Sequence, residues 1–106
     1  MQIKSLISLA LLTSHSAFAV PSFLGDFVSN YENLNIDTTK LVEENACGIC
    51  HVNPAGGGKR NPYGKDFEKN MGADNPFLAI ETLDSDADKV NNLAEIKANT
   101  NPGTVP

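Results

Sequence analysis

Tryptophan is absent from this chain of 106 residues, and cysteine, histidine and methionine occur only twice each. That scarcity restricts the metal chemistry, because a structural zinc site draws four nitrogen or sulfur ligands. Basic residues are also few, with eight Lys and Arg against thirteen Asp and Glu. Such a balance disfavours nucleic acid and anionic membrane surfaces, whose contacts depend on cationic side chains, and it permits steering toward a basic partner. No apolar run is long enough to span a bilayer, which leaves no membrane anchor. No segment alternates with strand period for long, so the βαβ setting of a thioredoxin-like redox site is missing.

The first nineteen residues, "MQIKSLISLALLTSHSAFA", read as an export signal. Lys4 supplies the positive start, Leu6 to Leu12 the apolar stretch, and Ala17-Phe18-Ala19 a small-x-small cleavage site. No cysteine stands at the cleavage point to take a lipid. Cleavage after Ala19 removes Met1, Lys4 and His15 and leaves seven basic against thirteen acidic residues, a net charge of −6. The expected location is periplasmic or secreted. Residues 20–106 are expected to form a single domain, small enough to need a staple such as a disulfide, a metal or a cofactor.

Along that domain, "PSFLGDFVSNYENL" places Phe23, Leu24, Phe27, Val28 and Tyr31 at helical spacing, with Ser22 as N-cap. A second short helix is expected from Asp37 through Glu44, capped by Asp37 or Thr38. Pro54 to Arg60 contains a proline and three consecutive glycines and is expected to be irregular. Asn61-Pro62 and Asn75-Pro76 each read as N-cap and first helical residue, opening "NPYGKDFEKNMG" and "NPFLAIETL". The acidic stretch "DSDADKVNNLAE" is expected to be a loop entering a last short helix. The expected class is all-α with long loops.

Chemistry concentrates at "ACGICHVN". Cys47-Gly48-Ile49-Cys50-His51 fits C-x-x-C-H, the attachment pattern of c-type haem. Two thiols one helical turn apart can form thioethers to both vinyl groups of one porphyrin, and the adjacent histidine then serves as proximal iron ligand. After cleavage Cys47, Cys50 and His51 are one ligand short of a structural zinc site. A Cys47–Cys50 disulfide would close almost no loop and stabilise little. Haem c is therefore the expected cofactor.

Met71 is the one methionine that remains for the distal face of the iron, and Tyr63, Phe67 and Met71 fall at i, i+4 and i+8 on one helix side. Two roles are open to Met71, distal ligand or packing residue. Without it the iron is five-coordinate or takes a lysine or the N-terminal amine. Tyr63 and Phe67 would pack on the porphyrin. The glycines of "AGGGKRN" would let backbone approach the haem, and Lys59 and Arg60 would pair with its propionates. The phosphate-loop pattern fails here, since Asn53 and Arg60 break it.

Asp84, Asp86, Asp88, Val90, Asn92 and Glu95 fall on positions 1, 3, 5, 7, 9 and 12 of an EF-hand-type calcium loop over residues 84–95. Val90 would contribute its carbonyl and Glu95 a bidentate carboxylate. Position 6 is Lys89 where the sharp turn favours glycine.

"CGICHVNPAGGGKRNPYGKDF" followed by "LDSDADKVNNLAEIKANTNPG" resembles small exported bacterial c-type cytochromes that carry an aspartate-rich loop. "HVNPAGGGKRNPYGKDF" is also similar to the secreted temptin-like domain, an extracellular interaction module. The chain departs from such loops at Ala87 and Lys89, where they usually carry glycine. The resemblance implies a cytochrome c-like helical domain with its haem segment at 47–72 and bound Ca2+ at 84–95. The expected function is one-electron transfer between periplasmic redox proteins by a carrier that is not an enzyme. Two alternatives are a five-coordinate haem sensor or peroxidase-like protein, and a non-haem calcium-stabilised interaction module.

Overall fold

A computed structural model of the protein describes residues 22–104. The expected export signal, residues 1–19, lies outside the described residues. The described chain is helical without a strand: α1 Ser22–Glu32, α2 Thr39–Asn45, a 3-10 turn Ala46–Ile49, α3 Pro62–Lys69, α4 Pro76–Ala79 and α5 Asn92–Lys97.

Each helix has a local cause. α1 ends through Asn35, whose positive φ of 60° lets the Ile36 N–H turn back to the Tyr31 carbonyl at 2.9 Å. Asparagine tolerates that left-handed position better than most side chains. Ahead of α2 the Asp37 carboxylate accepts the Thr39 N–H at 3.0 Å, while Thr38 makes no side-chain cap bond. α3 starts at Pro62, and the Asn61 Oδ1 accepts the Gly64 N–H at 2.9 Å. Asn75 repeats this device for α4, accepting from the Phe77 and Leu78 amides at 3.1 Å each. Asn91 caps α5 through the Ala94 amide at 2.8 Å.

α3 stops at Lys69, so Met71 sits in the turn that follows the helix. α4 is a single turn, shorter than the expected "NPFLAIETL". Local capping starts both helices as the sequence implies.

The core is aromatic. Phe27 stands at its centre, with ring centroids 5.1 Å from Tyr31, 5.8 Å from Phe77 and 6.3 Å from Tyr63, all edge-on. Leu41, Ile49, Ile80 and Ile96 close around these rings without measurable exposure. Burying each such side chain stabilises by roughly 1.5–3 kcal/mol. The Tyr31 hydroxyl donates to the Glu81 carboxylate at 3.1 Å within this core. Burial, then the Glu81 charge, pushes the Tyr31 phenol well above its usual range.

α3 lies directly on the C-x-x-C turn because Gly64 has no side chain. A Cβ there would fall on the Cys50 carbonyl. Gly64→Ala should therefore destabilise the protein by at least about 2 kcal/mol in urea unfolding. Gly72→Ala, where a Cβ meets nothing within 4 Å, should change stability by less than about 0.5 kcal/mol. Equal effects at the two positions would refute the packing argument.

Candidate functional site

The cysteine segment begins where α2 fails. Ala46, at a positive φ of 47°, converts the α-helix into the 3-10 turn. The amides of Cys50 and His51 both then donate to the Cys47 carbonyl, at 3.1 and 2.9 Å. His51 pairs with Arg60 in an isolated antiparallel bridge, and the Val52 amide donates to the Lys59 carbonyl at 3.0 Å. The glycine segment is thus a closed loop whose base holds His51. Within it Gly56, Gly57 and Gly58 have positive φ values of 89°, 75° and 65°. Gly56 also lies so close to Cys47 that a Cβ would stand 3.1 Å from its sulfur.

This segment forms one side of an open pocket of about 230 Å³, somewhat below the roughly 300–1,000 Å³ usual for ligand sites. Cys47, Cys50 and His51 line it, as do Phe67 and Met71 from α3 and the turn after it. Arg60 and Glu68 line it as well and pair with each other at 3.5 Å. The remaining wall is apolar and comes from α1: Phe23, Leu24 and Phe27. Sequence reasoning gave α1 no role at the site, although these three residues share one helical stripe.

Of the expected haem contacts, Phe67, Arg60 and Met71 reach this pocket, whereas Lys59 and Tyr63 do not line it. Tyr63 is fully buried against Phe27, on the core side of α3. Phe67 serves both sides, packing on Phe23 at 5.5 Å and Phe77 at 4.8 Å. Met71 is half-exposed.

Both cysteines are free thiols. Burial, with a smaller push from Cys47, raises the Cys50 thiol to about 11. A reactive redox cysteine needs the opposite shift, toward thiolate at neutral pH. The His51 Nδ1 is buried without a hydrogen-bond partner. Cys47, Cys50 and His51 do not converge on a common point as a zinc site requires. Among the described residues, the acidic group is where such side chains converge.

That group is Asp84, Asp86, Asp88 and Glu95, with one oxygen from each lying within 4.8 Å of the others. Glu95 enters from the first turn of α5. Asp84 accepts the Lys89 amide at 2.7 Å and the Asp88 amide at 3.1 Å, which folds the loop inward. Lys89 adopts the left-handed conformation, with φ 77°, as does Ala87 at 60°. Each such non-glycine residue costs about 1 kcal/mol or more. Asp86 and Glu95 are more than nine-tenths buried, and Asp86 Oδ2 and Glu95 Oε1 have no partner. Val90 is exposed. Asn92 is engaged elsewhere. Its Nδ2 donates to the Ile80 carbonyl and Ser85 Oγ, at 2.8 and 2.9 Å, and its Oδ1 accepts the Ser85 amide. It closes the base of the loop instead of joining the four carboxylates.

No family model, characterised protein or solved structure matches the chain. No helix among the described residues is long and apolar enough to cross a membrane.

Burial, then repulsion from Asp86, Asp88 and Asp84, pushes Glu95 up to about 8; burial and Asp88 push Asp86 up to about 6. Both groups hold protons more tightly folded than unfolded, so their contribution favours the fold at low pH. It is lost as pH rises from the ordinary carboxylate range through about 8. Calorimetry in chelator should show a lower Tm at pH 8 than at pH 5.5, with the drop reduced in Glu95→Gln. An identical drop in both proteins would remove Glu95 as the cause.

Proposed function

We propose that the protein is an exported monohaem c-type cytochrome that carries single electrons between redox partners. One observation carries the reading: an apolar pocket is lined by Cys47, Cys50 and His51 together with Phe67 and Met71. Those residues fit a haem in kind. Two thiols stand ready for thioethers, the His51 imidazole lines the pocket beside them, and aromatic side chains wall it. Arg60, already at the pocket, offers its guanidinium to propionates in exchange for Glu68. When bound, haem supplies a one-electron iron couple. The chain's own residues anchor it, orient it and set its exposure to solvent. No residue of the pocket is required as a catalytic group. The raised thiol of Cys50 favours this reading over a dithiol redox enzyme.

The observation bearing on the distal ligand is that Met71 lines the pocket from a half-exposed turn. Protein made in a host with a periplasmic cytochrome c maturation system should carry one covalent haem, retained on denaturation. Its absence under those conditions would sink the proposal. If Met71 ligates the iron, Met71→Leu abolishes the low-spin methionine signature. An unchanged spectrum assigns the five-coordinate form or another ligand.

We further propose that the acidic loop holds Ca2+. Its support is the pair of buried, unpartnered oxygens on Asp86 and Glu95, which a hard cation would satisfy. Ca2+ should raise Tm, with Asp84→Ala abolishing most of the rise. No change on adding Ca2+ to the wild-type protein would exclude a structural ion.

A further inference from the structure

We infer that Asn61 is the positioning residue of the haem site, the group that sets the orientation of the C-x-x-C-H turn; this rests on the haem reading above. As a sequence element Asn61 is an N-cap, and its Oδ1 does cap α3 through the Gly64 amide. Its other atoms do something an N-cap does not need. Nδ2 donates to two carbonyls of the turn, Gly48 at 3.0 Å and Ile49 at 2.9 Å. The Asn61 amide donates to the next carbonyl, that of Cys50, at 2.9 Å. Three successive carbonyls between the cysteines and His51 therefore end on one residue.

Asn61 is itself buried, at 3% exposure. Asn101 adds a second bond to the Gly48 carbonyl at 2.8 Å. Gly103 lies against the Asn61 side chain, where a Cβ would overlap its amide. The side-chain amide therefore packs directly against the Gly103 backbone. With the carbonyls of Gly48, Ile49 and Cys50 directed to Asn61, Cys47, Cys50 and His51 line the pocket. Arg60, next to Asn61, is the residue bridged to His51. A rotation of the turn would move both thiols and the imidazole together.

The cap and the clamp can be separated. Asn61→Asp keeps the acceptor for Gly64 and removes the donor to Gly48 and Ile49. Asn75→Ala is the control, since it removes a cap remote from the turn. In the haem-free protein, Asn61→Asp should raise the alkylation rate of Cys50 by about fivefold or more, the change expected when a buried hydrogen bond no longer holds a segment closed. Asn75→Ala should leave that rate within about twofold, as expected of a site with no shared partners. In the haem-loaded protein, Asn61→Asp should shift the electron paramagnetic resonance g-values and the reduction potential, and Asn75→Ala neither. If Asn61→Asp does not fold, Asn61→Ser carries the same test without the added charge. Wild-type alkylation rates and g-values in the Asn61 variant would overturn the inference, whatever its stability. A wild-type protein without covalent haem would instead overturn the haem reading, and the alkylation comparison would still decide whether Asn61 clamps the turn.

Discussion

The carbonyls of Gly48, Ile49 and Cys50 must find donors inside a folded chain, and all three find them on Asn61. An unpaired buried carbonyl is expensive, so this one residue, through its backbone N–H and its side-chain amide, ties the turn to the start of α3. The constraint explains several features that otherwise look unrelated. Gly64 must lack a Cβ because α3 is drawn onto the Cys50 carbonyl. The glycine loop must close between His51 and Arg60, because Asn61 follows Arg60 and is already fixed. Gly103 must be small because the chain's end covers the same amide.

A second tether connects the pocket to the acidic loop. Ser85, between Asp84 and Asp86, donates its hydroxyl to Asp66 on α3 at 2.6 Å. Asp66 directly precedes Phe67, which lines the pocket. Asn92 fixes Ser85 from the other side through both its amide atoms. The loop is therefore anchored to the same helix that forms one pocket wall. In a domain with so few buried side chains, two sites sharing one helix are stabilised by the same aromatic core around Phe27.

Much of this was legible in the sequence where the signal is local. Asn61-Pro62 and Asn75-Pro76 begin helices because an asparagine oxygen and a proline φ act over three or four residues. The C-x-x-C-H spacing and the alternating aspartates likewise need no tertiary information. What escaped was set by distant partners. Tyr63 reads as one stripe with Phe67 and Met71, yet it turns to the core because Phe27 and Tyr31 stand there. Asn92 reads as a loop ligand, yet the Ile80 carbonyl twelve residues away takes its amide. The α1 wall of the pocket has a periodic signature, but no periodicity names the element it faces.

The two sites solve opposite electrostatic problems. In the pocket, burial keeps the Cys50 thiol neutral, so this thiol can stand in an apolar wall without a counter-charge. In the loop, four carboxylates are brought within 4.8 Å, and burial raises Glu95 and Asp86 instead of expelling them. Local strain at Ala87 and Lys89 is accepted to keep them there. A chain seeking only stability would separate those charges, since clustered carboxylates repel and burial adds to the cost. Their retention, with two buried oxygens unpaired, is understandable where a cation completes the loop. The apolar walls beside two thiols and an imidazole are understandable in the same way, where a large planar cofactor completes the pocket.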